Sequence, residues 1–127
     1  MATKVRLDKV VRPWGTFYEL ERQEGYLVKK LHLRPDSRTS LQYHKERDEV
    51  WVVVSGYGKA WHQKGYSTND PIYETIGIGD TIKVTVGEPH RIENSSTEQD
   101  LVIVEVQLGT ICEEDDIVRL ADDYGRS

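Results

Sequence analysis

A single cysteine, Cys112, rules out a disulfide within the chain and fits a reducing cytoplasm, where we expect the protein to reside. No apolar run approaches the ~20 residues that a membrane-spanning helix needs, and the polar start does not read as a signal peptide. Basic stripes are missing too. With a formal net charge of −5, this argues against nucleic acid as a partner. Much of the acidity sits in "CEEDDIVRLADDYG" at the C-terminal end, and the rest of the chain is near neutral. Helical periodicity is scarce, and only "EEDDIVRLADDY" has the pattern for a helical turn or two. There is no internal repeat, low-complexity tract or linker, so the 127 residues read as one domain with one sizeable core.

What is present is a succession of short β-like runs: "TFYEL", "YLVKKLHL", "RTSLQYH", "EVWVVVSG", "GKAWHQ", "IYETIGIG", "DTIKVTV", "HRIENS" and "DLVIVEVQLG". Turn signals separate them, among them "RPDS", "SGYG", "TNDP" and "VGEP". Short strands at near-regular spacing predict an all-β sandwich or barrel. Strict alternation along "RTSLQYH" puts Arg38, Ser40, Gln42 and His44 on one face, with Thr39, Leu41 and Tyr43 opposite. Such a polar row fits a wet outer face, or a polar pocket inside a barrel.

Two stretches bear on that choice. "SLQYHKERDEVWVVVSG" has His44, four residues, Glu49, six residues and Gly56; counted from Asp36, five residues lead to Gln42. "GDTIKVTVGEPHRIEN" places Gly79, Thr85, Gly87, His90 and Asn94 in a second series. Together they resemble the cupin double motif, with Asp36 for the first Gly, Gln42 for the first His and Thr85 for Pro. The resemblance implies an all-β cupin, a double-stranded β-helix or jelly-roll barrel, spanning residues 1–127. It also implies that Gln42, His44, Glu49 and His90 converge around one divalent metal ion. Imidazoles suit zinc first, with manganese, cobalt, iron or nickel as alternatives, and the amide and carboxylate oxygens harden the site.

Further motifs narrow the match: "RPWG" (Arg12 to Gly15), "VKKLHLRP" (Val28 to Pro35), "SLQYH", "EVWVVVSG", "GEPHRIEN", "VEVQLG" and "EDDIVRLADDYGR" (Glu114 to Arg126). In this order they resemble the type II mannose-6-phosphate isomerases, which occur alone or as the C-terminal domain of mannose-1-phosphate guanylyltransferase fusions. Lys45, Glu46 and Val50 stand where that family usually has histidines. On the Gln42–His44 reading these three lie outside the ligand set, and Val50 points away from the face of Glu49. The region "HQKGYSTNDPIYETI" is longer than the usual loop.

The resemblance implies aldose–ketose isomerisation of a phosphorylated hexose, mannose-6-phosphate and fructose-6-phosphate first. That chemistry requires a base, a Lewis acid and cations for the phosphate. Lys29, between Leu27 and Leu31 on one face of a strand, is a candidate catalytic and phosphate-binding cation, with Arg38 beside it. Arg12 is a further phosphate candidate, and each of these could equally serve a structural ion pair. Glu105 and Gln107 interrupt an apolar run and share a face; buried there, Glu105 would have a raised pKa and is the nominated base, with Gln107 as a substrate contact. Arg91 reads as a structural ion-pair former, while His32 and His62 read as surface or hydrogen-bonded residues. Trp51, on the Glu49 face, is a core residue that could also meet substrate.

Two other functions compete: a cupin that binds a sugar or nucleotide sugar without turnover, and another sugar-modifying cupin such as an epimerase. An oxygenase fits less well, because its two-His-one-carboxylate site would carry an extra amide here. Guanylyl transfer is not expected, since no Gly-rich nucleotide-binding region precedes the motifs. Exposed strand edges predict a homodimer.

Overall fold

The computed structural model describes residues 8–63, 72–110 and 112–126. Every element in it is a strand: β1 (Lys9–Arg12), β2 (Gly15–Gln23), β3 (Tyr26–Leu33), β4 (Ser37–Arg38), β5 (Leu41–Tyr43) and β6 (Asp48–Ser55), then β7 (Tyr57–His62), β8 (Ile72–Gly77), β9 (Thr81–Val84), β10 (His90–Asn94), β11 (Leu101–Leu108) and β12 (Val118–Ala121). They form two antiparallel sheets, ordered β1-β2-β3-β11-β6-β9 and β12-β5-β10-β7-β8, with β4 also pairing β10. This is the cupin barrel. Part of the long "HQKGYSTNDPIYETI" region, residues 64–71, lies outside the described residues.

The inward rows explain both the core and the site. Period-2 alternation turns Leu27, Lys29, Leu31 and Leu33 of β3 inward, and Glu49, Trp51 and Val53 of β6 likewise. On β11 the inward row is Leu101, Ile103, Glu105 and Gln107. Register sets Ile103 beside Leu31 and Val53, while Glu105 faces Lys29 and Gln107 faces Glu49. One end of the barrel is therefore apolar, packed with Leu33, Val53, Ile82 and Leu101. The other end collects the polar side chains.

Burying ionisable groups this way costs several kcal/mol each unless they find partners. Two glycines permit the close approaches involved. Gly56, at the β6–β7 turn, has φ +80°, and a Cβ there would lie 2.4 Å from the Asp100 carbonyl oxygen. At Gly109, which follows β11, a Cβ would fall 2.3 Å from the Glu46 carbonyl oxygen, so the strand end packs directly on the loop that carries Arg47.

Two expectations are corrected here. "RTSLQYH" is not one strand: it breaks at Thr39 and Ser40 between β4 and β5. Thr39 is tied to β10 by its own amide, which donates to the Ile92 carbonyl, and by its hydroxyl, which accepts from the Ile92 amide. The alternation slips by one residue across that break, and Thr39 joins Gln42 and His44 in lining the cavity. The acidic segment carries no helical turn among the described residues; Val118–Ala121 instead adds to β5 as β12.

Candidate metal centre

His44, Glu49 and His90 bring one ligand atom each to within 4.8 Å of one another at the polar end of the barrel. They come from the loop after β5, from β6 and from the first residue of β10. All three side chains are about 2% exposed. Nε2 of His44 lies 3.0 Å from one Glu49 carboxylate oxygen, and Nε2 of His90 lies 3.6 Å from the other.

Backbone carbonyls settle the imidazole tautomers. His44 Nδ1 lies 2.6 Å from the Asp116 carbonyl oxygen and His90 Nδ1 lies 2.9 Å from that of Glu88. Since a carbonyl only accepts, both Nδ1 atoms carry hydrogen, and in the neutral rings the Nε2 lone pairs point at Glu49. Burial, opposed by the Glu49 charge, lowers the pKa of His90 from 6.5 to about 4, so its ring is neutral at pH 7. His90 Nε2 is fully buried and has no hydrogen-bond partner among the described residues. Two imidazole lone pairs and a carboxylate meeting in a buried space, with one nitrogen unsatisfied, form a donor set that fits a divalent cation.

The neighbours complete the picture. Arg47, buried, donates from Nε to Glu49 at 3.0 Å, from one Nη to His44 Nε2 at 3.3 Å and from the other to the Glu113 carbonyl at 3.0 Å. Trp51 Nε1 donates to Glu49 at 3.1 Å, and its ring meets His90 edge-on at 5.4 Å. Gln42 lines the same cavity, with its amide nitrogen 3.4 Å from His44 Nε2 and its amide oxygen accepting from the Ser40 hydroxyl. It therefore reaches the centre, but with a donor facing inward.

Glu105 and Gln107 line the cavity as expected, and Gln107 donates to Glu105 at 3.1 Å. Burial and the nearby Glu49 charge push the Glu105 carboxyl well above the ordinary range. Burial alone would raise Glu49 as well, but its contacts with His44 and His90 hold it well below the ordinary range. Of the two carboxyls, Glu105 is the more basic.

Lys29 and Arg12 also face the cavity, and both bind Glu114, at 2.5 Å and 3.3 Å. Arg38 does not. It sits in a separate surface depression, where it forms a two-point pair with Asp123 at 2.7 and 2.8 Å. The slip at Thr39 and Ser40 is the reason: Arg38 lies before it and Gln42 after it. Arg91 donates to the Thr39 carbonyl and lies 4.0 Å from Asp123, the structural role expected of it. His32 is half-buried, and buried His62 pairs with Glu74 at 3.3 Å.

Sequence reasoning assigned no site role to Arg47 or to the closing segment. Arg47 was detectable, since it precedes Glu49 by two residues and so shares its face. Glu114, Arg119 and Arg126 reach the cavity through contacts far apart in sequence, which no local pattern announces. Asp116 accepts from the amides of Lys45 and Glu46 at 3.0 Å each, fixing the loop that presents His44. The side chains of Lys45 and Glu46 are exposed, and Val50 lies outside the cavity lining.

The family described as mannose-6-phosphate isomerase C-terminal matches residues 2–122. The chain belongs to that family. A mannose-1-phosphate guanylyltransferase of Escherichia coli (strain K12) is 36% identical over 118 residues, covering 93% of this chain and 23% of the relative. The xanthan biosynthesis protein XanB of Xanthomonas campestris pv. campestris (strain B100) is 34% identical over 119 residues, 94% of this chain and 24% of the relative. This member of the mannose-6-phosphate isomerase C-terminal family thus spans about a quarter of the length of those relatives. Among solved structures, the capsular polysaccharide assembling protein CapF from Staphylococcus aureus superposes with a TM-score of 0.77 at 19% identity, over 94% of this chain and 34% of that one, a likeness of fold alone.

Proposed function

We propose that this cupin is a metal-dependent aldose–ketose isomerase of a sugar phosphate, with mannose-6-phosphate and fructose-6-phosphate as the first pair. The observation that carries the reading is the buried, unpartnered Nε2 of His90, aimed with His44 at Glu49 in a cavity that also holds the Lys29 and Arg12 cations. His44, Glu49 and His90 would hold the ion, zinc first, and Gln42 would join by turning its amide to present oxygen. When bound, the ion would polarise the oxygens on C1 and C2 of the sugar.

The chain's own residues do the rest. Glu105 takes the proton from C2 of the aldose and returns it to C1, while a second proton passes between the two oxygens. Its raised pKa makes it a stronger base than an ordinary carboxylate and brings release and uptake nearer neutrality. Gln107, hydrogen-bonded to Glu105, holds that carboxyl in place. Lys29 and Arg12 take the phosphoryl group, and the closing segment, whose Glu114, Ile117, Arg119 and Arg126 line the cavity, limits water.

A second reading, sugar-phosphate binding without turnover, rests on Lys45, Glu46 and Val50 in place of family histidines. Their absence from the cavity lining favours the enzyme. A coupled spectrophotometric assay with a panel of hexose phosphates and divalent metals separates the two. Metal-dependent turnover supports isomerisation; binding without turnover under every metal overturns it.

A further inference from the structure

We propose that Glu114 is an intramolecular occupant of an anion seat, holding with its own carboxylate the place that a phosphoryl dianion takes when it binds. This deepens the phosphate part of the function proposed above and rests on it for the identity of the natural ligand. The seat is built from Lys29 and Arg12. Lys29 is 3% exposed on the inward row of β3, an environment that an unpaired ammonium cannot tolerate. Its Nζ sits 4.2 Å from the centre of the Phe17 ring, and the Arg12 guanidinium lies 5.2 Å from the same centre. The two cations thus flank one point in the cavity. Glu114 bridges them with one oxygen each, the two-point arrangement that also suits phosphate or sulfate oxygens.

Glu114 differs from the seat in how it is held. It belongs to the irregular stretch between β11 and β12, and its side chain is 46% exposed. The backbone on either side is fastened, by Arg47 to the Glu113 carbonyl and by the Asp116 carboxylate to the Lys45 and Glu46 amides. Rotation of one side chain therefore vacates the seat while the segment stays in place. Burial would raise the Glu114 carboxyl, but Lys29 outweighs it and holds the group below its ordinary value, so the occupant is charged at neutral pH.

The consequence is a threshold. Every incoming anion meets the same cost of expelling Glu114. Weak monoanions such as chloride then remain unbound at concentrations where a dianion, which gains more from the two cations, still enters. Lys29 meanwhile always has a counter-ion, so the buried charge is compensated in both states.

The test titrates metal-free protein with sulfate and with nitrate by NMR, comparing wild type with Glu114→Gln and the double variant Glu114→Gln/Lys29→Gln. Removing the occupant's charge is expected to tighten sulfate roughly five- to tenfold and to make nitrate binding visible, gains that the Lys29 substitution abolishes. A second measurement needs no variant: saturating sulfate should move the Glu114 side-chain carbon signal of the wild type to that of a solvent-exposed glutamate. Sulfate affinity unchanged or weakened in Glu114→Gln, or a Glu114 signal indifferent to sulfate, overturns the proposal. No turnover enters either measurement, so loss of the isomerase reading would leave these results standing, and their failure would leave isomerisation untouched.

Discussion

Replacing His90 with leucine should remove most of the metal stabilisation while leaving a folded barrel. Four ligands to a structural zinc contribute ~10–16 kcal/mol in total, so one ligand is worth about 3 kcal/mol, or roughly two orders of magnitude in affinity. At a metal concentration one hundred times the wild-type dissociation constant, binding stabilises the fold by ~2.7 kcal/mol. For 127 residues the unfolding entropy makes each kcal/mol worth about 4 °C, so the wild type should gain ~10 °C over the chelator-treated protein. At the same concentration His90→Leu, with its affinity reduced a hundredfold, gains only ~0.4 kcal/mol, or ~2 °C. Leucine approximates the lost volume beside Trp51, and the main structural loss is the hydrogen bond to the Glu88 carbonyl, about 1 kcal/mol. Comparing each protein with its own chelated form removes that term. Differential scanning fluorimetry supplies the readout, and a full metal-induced shift in His90→Leu would refute the donor set.

Arg38→Ala should change the KM for any sugar phosphate less than twofold, because Arg38 pairs with Asp123 outside the cavity; a tenfold rise in KM would return it to the site. In chelated protein, the lowered pKa of His90 makes the unfolded chain bind more protons between pH 6.5 and about 4, so stability is present above that window and lost as pH falls through it. The loss should be roughly 3 kcal/mol in urea titrations, and His90→Leu should flatten that slope. Gly56→Ala combines an unfavourable positive φ with a clash on the Asp100 carbonyl, and should cost ~2–4 kcal/mol in the same assay.

How far the sequence disclosed this arrangement differs from residue to residue. Leu27, Lys29 and Leu31 lie on an unbroken strand, so alternation alone placed the lysine inward. Glu105 and Gln107 were legible for the same reason, on another unbroken strand. His44, Glu49 and His90 followed from motif spacing, which encodes where one strand ends and the next begins. Arg38 was misplaced because two-residue counting holds only within a strand, and Thr39 breaks it by bonding β10 with its own hydroxyl. The "EEDDIVRLADDY" segment has few apolar residues and a sequence pattern shared by helix and surface strand. Its pairing with β5 and its grip on Lys29, Arg47 and the His44 ring depend on groups some 66 to 85 positions away. Composition showed only the acidity of that segment; the fold brings Glu114, Arg119 and Arg126 to the cavity wall.

The most direct test of the central claim follows mannose-6-phosphate by proton NMR in heavy water, with zinc-loaded and chelated protein and with Glu105→Gln. The account predicts conversion to fructose-6-phosphate, with the C2 proton lost or transferred to C1, in the zinc-loaded wild type alone. Conversion that persists equally after chelation or in Glu105→Gln, or no conversion by the zinc-loaded protein, would contradict it.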